Sequence, residues 1–150
     1  MGKLRLDQIA VRSGSSYPAP FDQAVAGRTW QRLGEAGGLT QFGVNLSRIE
    51  PGQWSSQRHW HTHEDEFIHV LSGELVLVTD AGEQLMVAGD CAAFPANEAN
   101  GHHLVNRSAA VATYLAIGSS DERDRCTYPD IDMLFDPDAN AYVHRDGTPY

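Results

Sequence analysis

The chain has 150 residues, a formal net charge of −9, and 41% hydrophobic and 21% charged residues. That length suits one domain with a hydrophobic core of its own, and the balance excludes wholesale disorder. The negative charge disfavours partners that need a basic surface, so neither nucleic acid nor an anionic membrane is expected to bind. No apolar run reaches bilayer-spanning length and the opening MGKLRLDQIAVRSG lacks a signal-like apolar stretch, so the sequence predicts a soluble, cytoplasmic protein. Cys91 and Cys126 stand 35 positions apart with no C-x-x-C pair, which argues against a disulfide framework and fits a reducing compartment.

Residues 1–38 are rich in breakers, with Pro18 and Pro20 early and Gly34, Gly37 and Gly38 late. They read as an irregular N-terminal arm in which only residues 21–33 have room for a short helix or strand. The texture changes from residue 39. Phe42, Val44 and Leu46 alternate with small or polar residues, the period of a half-buried strand, and Pro51-Gly52 turns the chain. Residues 67–71 and 75–78 flank Ser72-Gly73-Glu74 and read as a hairpin. Strand-like runs follow at 83–87, 91–95, 102–106 and 111–117, separated by turn signals such as Ala81-Gly82 and Ala88-Gly89-Asp90. Short strands at nearly regular intervals predict an all-β sandwich or barrel over residues 39–118. Residues 119–150 become charged and loop-like and read as a C-terminal arm, expected to pack on the barrel or on a partner subunit.

Within residues 59–66, His59-Trp60-His61-Thr62-His63-Glu64-Asp65-Glu66, stand three of the chain's seven histidines and three acids. Imidazole nitrogen and carboxylate oxygen are natural ligands for Zn, Fe, Mn, Ni or Cu. On a strand, side chains two apart share a face, roughly 7 Å apart along the axis, so His59 and His61 can reach one ion while Trp60 turns away. Glu66 has the opposite parity and joins them only if the chain breaks step, for which the polar residues 62–65 are suited. Glu66, Ile68 and Val70 then face inward and Phe67, His69 and Leu71 outward. A further ligand has to come from elsewhere. Gly101-His102-His103 supplies one, with His102, Leu104 and Asn106 on one face and His103 and Val105 on the other.

The segment from Gly52 to Gly73 resembles the first motif of the cupin superfamily, G-x5-H-x-H-x3,4-E-x6-G. His59-x-His61 is followed by four residues, then Glu66, six more residues and Gly73. The segment from Gly89 to Asn106 is similar to the second motif, G-x5-P-x-G-x2-H-x3-N, through Gly89, Pro95, His102 and Asn106. The resemblance covers about residues 39–118 and implies an all-β, cupin-type double-stranded β-helix (jelly-roll) barrel, often a homodimer, with a metal held by His59, His61, Glu66 and His102. The chain departs from the pattern in three places. Six residues, not five, separate Gly52 from His59, so strict counting puts Arg58 at the first histidine. Asn97 replaces the inner glycine, a mild change because Asn tolerates a left-handed backbone. Two extra residues before His102 lengthen the turn and make His103 its rival, although the spacing to Asn106 favours His102.

Other polar residues read more plainly. His63 and His144 are expected to be exposed, and His69 to lie on the outer face. Glu64 and Asp65 are expected to be solvated or to orient a ligand imidazole. Cys91 reads as a small packed residue. Arg48, Gln57 and Arg58 lie near the ligands in sequence, so each is a possible contact for a substrate carboxylate or phosphate. Trp54, Phe42, Met86, Phe94 and Tyr114 read as core or cavity wall. A divalent transition metal (Zn, Fe, Mn or Ni) at a barrel mouth keeps positions for water or a small-molecule ligand. The leading expectation is therefore an enzyme acting on a small polar, oxygen-bearing metabolite, and within the range of the family it resembles this implies isomerisation or epimerisation of a sugar or sugar phosphate. A metal-dependent dioxygenase and a non-catalytic metal-dependent binding or sensing module are the alternatives. No catalytic acid or base is assigned.

Overall fold

The computed structural model describes residues 2–150. In chain order its strands are β1 (Arg12–Ser13), β2 (Arg28–Arg32), β3 (Phe42–Ile49), β4 (Trp60–His61), β5 (Glu66–Ser72), β6 (Glu74–Thr79) and β7 (Gly82–Val87). They continue with β8 (Cys91–Phe94), β9 (His103–Val105), β10 (Ala112–Ser119), β11 (Cys126–Tyr128), β12 (Met133–Asp136) and β13 (Ala141–Val143). One four-residue helix, α1 (Leu33–Ala36), and two 3-10 turns complete the described elements, and none is long and apolar enough to cross a membrane.

Three antiparallel sheets result. The largest has the order β1-β2-β3-β10-β5-β8 and faces a three-stranded sheet, β7-β6-β9. Between them lies the main core of Ile49, Ile68, Val70, Leu75, Leu77, Met86, Leu104, Ala112 and Tyr114. Strand β5 follows the alternation read from its sequence: Ile68 and Val70 are buried, Phe67 and Leu71 exposed. This is a jelly roll, two sheets closed around one apolar interior.

The expected hairpin around Ser72-Gly73-Glu74 is not formed. Strand β5 pairs with β10 and β8, whereas β6 pairs with β7 and β9, so the chain changes sheets at this corner. Both strands bury alternate residues in the same core, but from opposite walls, and a sequence pattern cannot separate that from pairing. Gly73 makes the corner. Its φ is +75°, and a Cβ there would sit 2.9 Å from Ala112 Cα and from Val111 O.

The two end segments, irregular in sequence, contribute strands as well. Strand β2 runs along β3 from Arg28↔Ile49 to Arg32↔Asn45 and extends the large sheet. Strands β11, β12 and β13 form a third sheet with β4, through Cys126↔His61 and Thr127↔Trp60. A second apolar cluster of Cys126, Tyr128 and Met133, with Tyr17 and Phe21 packed on it, holds the two ends together.

Two outcomes follow from this packing. Gly73→Ala is expected to destabilise the fold by about 1–3 kcal/mol, read as a lower urea midpoint, because the corner has neither room nor a suitable φ for a side chain. Cys91 is exposed and Cys126 buried, and burial pushes the Cys126 thiol well above its usual range. A thiol reagent at mildly alkaline pH is therefore expected to label Cys91 alone in the folded protein and both cysteines in denaturant.

Candidate metal centre

The four side chains of the site come from three stretches of chain. His59 precedes β4, and its backbone exchanges two hydrogen bonds with His102, at 3.1 and 2.8 Å. Arg58 clamps this junction from behind. Its guanidinium donates to Gly101 O and binds Asp130 and Asp80, so it is not free for a substrate. His61 ends β4, Glu66 begins β5, and Asn97 N–H donates to His61 O (2.8 Å) across the turn. Asn97 has a φ of 62°, the conformation expected where the family motif has glycine.

These elements bring the four side chains read from the sequence together around one oxygen atom. Glu66 Oε2 lies 2.7 Å from His102 Nε2, 3.4 Å from His59 Nε2 and 3.5 Å from His61 Nε2. Burial would raise the Glu66 carboxyl, but hydrogen bonds from His102, His59 and His61 hold it well below the usual carboxylate range. Burial would likewise lower His61, but Glu66 and Asp124 outweigh it and raise that imidazole to about 9. For His102 burial dominates, and its pKa is lowered.

The remaining ring nitrogens fix how each imidazole presents itself. His59 Nδ1–H donates to Gln57 O (2.9 Å), with the Ser56 hydroxyl 3.2 Å away. His61 Nδ1–H donates to Asp124 Oδ2 at 2.6 Å. In both rings Nε2 is thereby left to face the centre. His102 is held differently: its ring stacks on Phe94 with centroids 3.5 Å apart and planes 1° apart, and its buried Nδ1 has no hydrogen-bond partner among the described residues.

Three ligand-atom groups, each with all atoms within 4.8 Å of one another, overlap here. They are His59, Glu66 and His102; His59, His61 and Cys126; and His61, Glu64 and Asp124. The nitrogen-rich set with one or two carboxylates suits a divalent transition ion rather than calcium or magnesium, which prefer oxygen.

The neighbouring residues sort clearly. His103, the rival of His102, is buried and otherwise engaged, its Nδ1–H donating to Ser56 O and its ring edge-on to Trp54. His63 is exposed and bonded to the Thr62 hydroxyl, and His144 pairs with Asp132. Asp65 accepts from Ala96 N–H. Gln57 donates to Phe21 O, and Arg48 to Gln31 Oε1. Cys91, read as packed, is exposed. Asn106 of the second motif is fully buried and structural: its amide donates to Ile49 O and Ala110 O.

Asp124 is the residue that sequence reasoning missed. Besides orienting His61, its Oδ1 accepts from His63 N–H (2.8 Å) and Glu64 N–H (3.3 Å), pinning the loop between His61 and Glu66. It lies in the charged stretch Asp121-Glu122-Arg123-Asp124-Arg125, where no spacing marks one acid over another. A cavity of about 740 Å³ opens over the centre. Tyr17, Tyr128 and Tyr142 form one side, and Arg28, Trp30 and Tyr114 line it elsewhere. Burial raises the phenols of Tyr17 and Tyr128, so both remain neutral hydroxyls at physiological pH.

Comparison with known proteins agrees with this architecture. The family model described as "Cupin domain" matches residues 45–118. A crystal structure of a sugar phosphate isomerase from a cupin superfamily, from Silicibacter pomeroyi DSS-3, is 51% identical, with 99% of this chain and 96% of that one covered at a TM-score of 0.95. A protein from Acidithiobacillus ferrooxidans ATCC 23270, provisionally assigned as a sugar phosphate isomerase, is 30% identical over 77% of this chain and 74% of its own, at a TM-score of 0.72. The polyketide cyclase RemF from Streptomyces resistomycificus, 18% identical over 81% and 80% of the two chains with a TM-score of 0.64, shares the fold alone. Among curated proteins none matches. With both motifs in place, the jelly roll formed, and a relative of this identity matched along nearly its whole length, the chain belongs to the cupin superfamily.

Proposed function

We propose that His59, His61, Glu66 and His102 hold a divalent transition metal and that the protein isomerises a small sugar or sugar phosphate in the cavity above them. The observation that carries this reading is the convergence of three imidazole Nε2 atoms on one Glu66 oxygen, two of them with Nδ1–H already committed elsewhere. The 51% identity to a protein described as a sugar phosphate isomerase supports the reaction class.

A bound ion supplies Lewis-acid polarisation of a carbonyl or hydroxyl oxygen. The chain's own residues do the remaining work. Gln57 O and Asp124 keep the Nδ1 protons of His59 and His61 in place, so Nε2 of each ring is the nitrogen that would meet a bound ion. Stacking on Phe94 fixes the plane of His102. Neutral tyrosine hydroxyls on one cavity wall offer hydrogen bonds to a polyhydroxylated ligand, and their rings limit access of bulk water.

Metal analysis of the purified full chain tests the ligand set. His59→Ala and His102→Ala are each expected to lose most of the metal that the wild type carries, and full metal content in both variants would sink the assignment. Asp124→Asn is expected to weaken metal affinity about 10–100-fold and, because the carboxylate also partners the raised His61 imidazole, to lower the thermal midpoint of the metal-stripped protein at neutral pH. Incubation with a panel of aldose and ketose phosphates, followed by NMR, is expected to show aldose–ketose or epimer interconversion. Oxygen consumption without interconversion would instead identify a dioxygenase.

A further inference from the structure

The net charge of −9 conceals an uncommitted cation beside the metal centre. Seven arginines pair with a carboxylate. Arg145 turns its guanidinium onto the Tyr128, Pro129 and Ile131 carbonyls, and Arg48 onto Gln31. Two arginines line the cavity over the centre, Arg28 and Arg32, and Arg32 is held by Glu35 at 3.2 Å. Arg28 is different. Among the described residues it has no carboxylate partner, its one hydrogen bond runs from Nη1 to Ser55 O, and its Nε is buried with no acceptor. Its guanidinium lies 4.8 Å from the centroid of the Trp30 ring, which limits its swing.

Register explains why Arg28 points into the cavity. On β2, residues 28, 30 and 32 share a face and pair with Ile49, Ser47 and Asn45 of β3. Those pair with Ala112, Tyr114 and Ala116 of β10, and the row continues to Val70 and Ile68 on the face of β5 that begins with Glu66. Arg28 therefore stands on the inner face of the same sheet as Glu66. It also connects to the ligands through a short path: its bond acceptor Ser55 adjoins Ser56, whose hydroxyl is 3.2 Å from His59 Nδ1.

A half-satisfied guanidinium inside a cavity is costly unless an anion meets it, and its planar fork matches the paired oxygens of a phosphoryl group. Resting on the isomerase reading above, we infer that Arg28 binds the phosphate of the substrate, with the sugar carbonyl end directed toward His59, His61, Glu66 and His102. The preferred substrate class is then the phosphorylated sugar rather than the free one, and specificity for it comes from the N-terminal segment rather than from the jelly-roll motifs.

The test titrates the full chain, with metal content measured in the same preparation, with inorganic phosphate and with acetate as a control by isothermal calorimetry. Wild type is expected to bind phosphate more tightly than acetate. Arg28→Gln is expected to bind phosphate about ten- to a hundredfold more weakly, and Arg28→Lys to fall between, keeping the charge but losing the fork. Independently of any variant's folding, phosphate is expected to protect Arg28 of the wild type from phenylglyoxal, as located by peptide mass mapping. Equal phosphate affinity in wild type and Arg28→Gln, acetate bound as tightly as phosphate, or an unprotected Arg28 would each overturn the inference. Metal content separates the two readings. A metal-free wild type that still binds phosphate through Arg28 defeats the metal centre alone, and a metal-loaded protein whose phosphate binding ignores Arg28 defeats the phosphate subsite alone.

Discussion

A β-strand alternates its side chains, so His61 and Glu66 cannot meet at one point unless the chain between them breaks step. The break has a physical cause in this protein. Asp124, brought in just ahead of β11, accepts two backbone N–H groups of the intervening loop with one oxygen and the His61 imidazole with the other. A loop of polar residues would otherwise have many conformations to lose. One nearly buried carboxylate holds the conformation that brings β4 and β5 together at the centre, and in the same act orients the His61 ring. The approach of His61 to Glu66 depends on that arrangement.

The surrounding construction is consistent with a site held rigid rather than gathered by the ligand. Arg58, next to His59, ties Gly101, next to His102, to Asp130 of the C-terminal segment. Asn106 secures the end of β9 with amide bonds to Ile49 and Ala110, and its Oδ1 accepts from Ser108. Such supports rest on groups with defined hydrogen-bond geometry, and Arg58, Gly101, Asn106 and Asp130 do not line the cavity. The cavity side carries aromatic rings, tyrosine hydroxyls and a few charged groups, Arg28 and Arg32 among them.

Much of this was legible in the sequence, because the informative signals were local. His59-x-His61, the spacing to Glu66 and the interval from His102 to Asn106 are short-range patterns set by strand parity, and the structure places these residues as that parity requires. The alternation in residues 66–72 likewise gave the buried face of β5 correctly. Signals that depend on pairing were not legible. Residues 67–78 have the periodicity of a hairpin, and only the three-dimensional closure of two sheets reveals Gly73 as a corner between them. The strands of the C-terminal segment are three or four residues long, too short for a period to emerge from a charged background. Asp124 and Arg28 escaped for the same reason. Each acts at long range from a segment whose sequence reads as irregular, whereas the residues singled out by proximity, Arg48, Gln57 and Arg58, are occupied by structural partners.

The position of Asp124 also bears on which part of the chain sets the geometry of the centre. All four converging side chains precede it, as does every strand of the large sheet, so the carboxylate that orients His61 comes from outside the sheet that carries Glu66. The direction of the His61 ring is therefore governed by the segment that follows β10 rather than by the strand on which the ring stands.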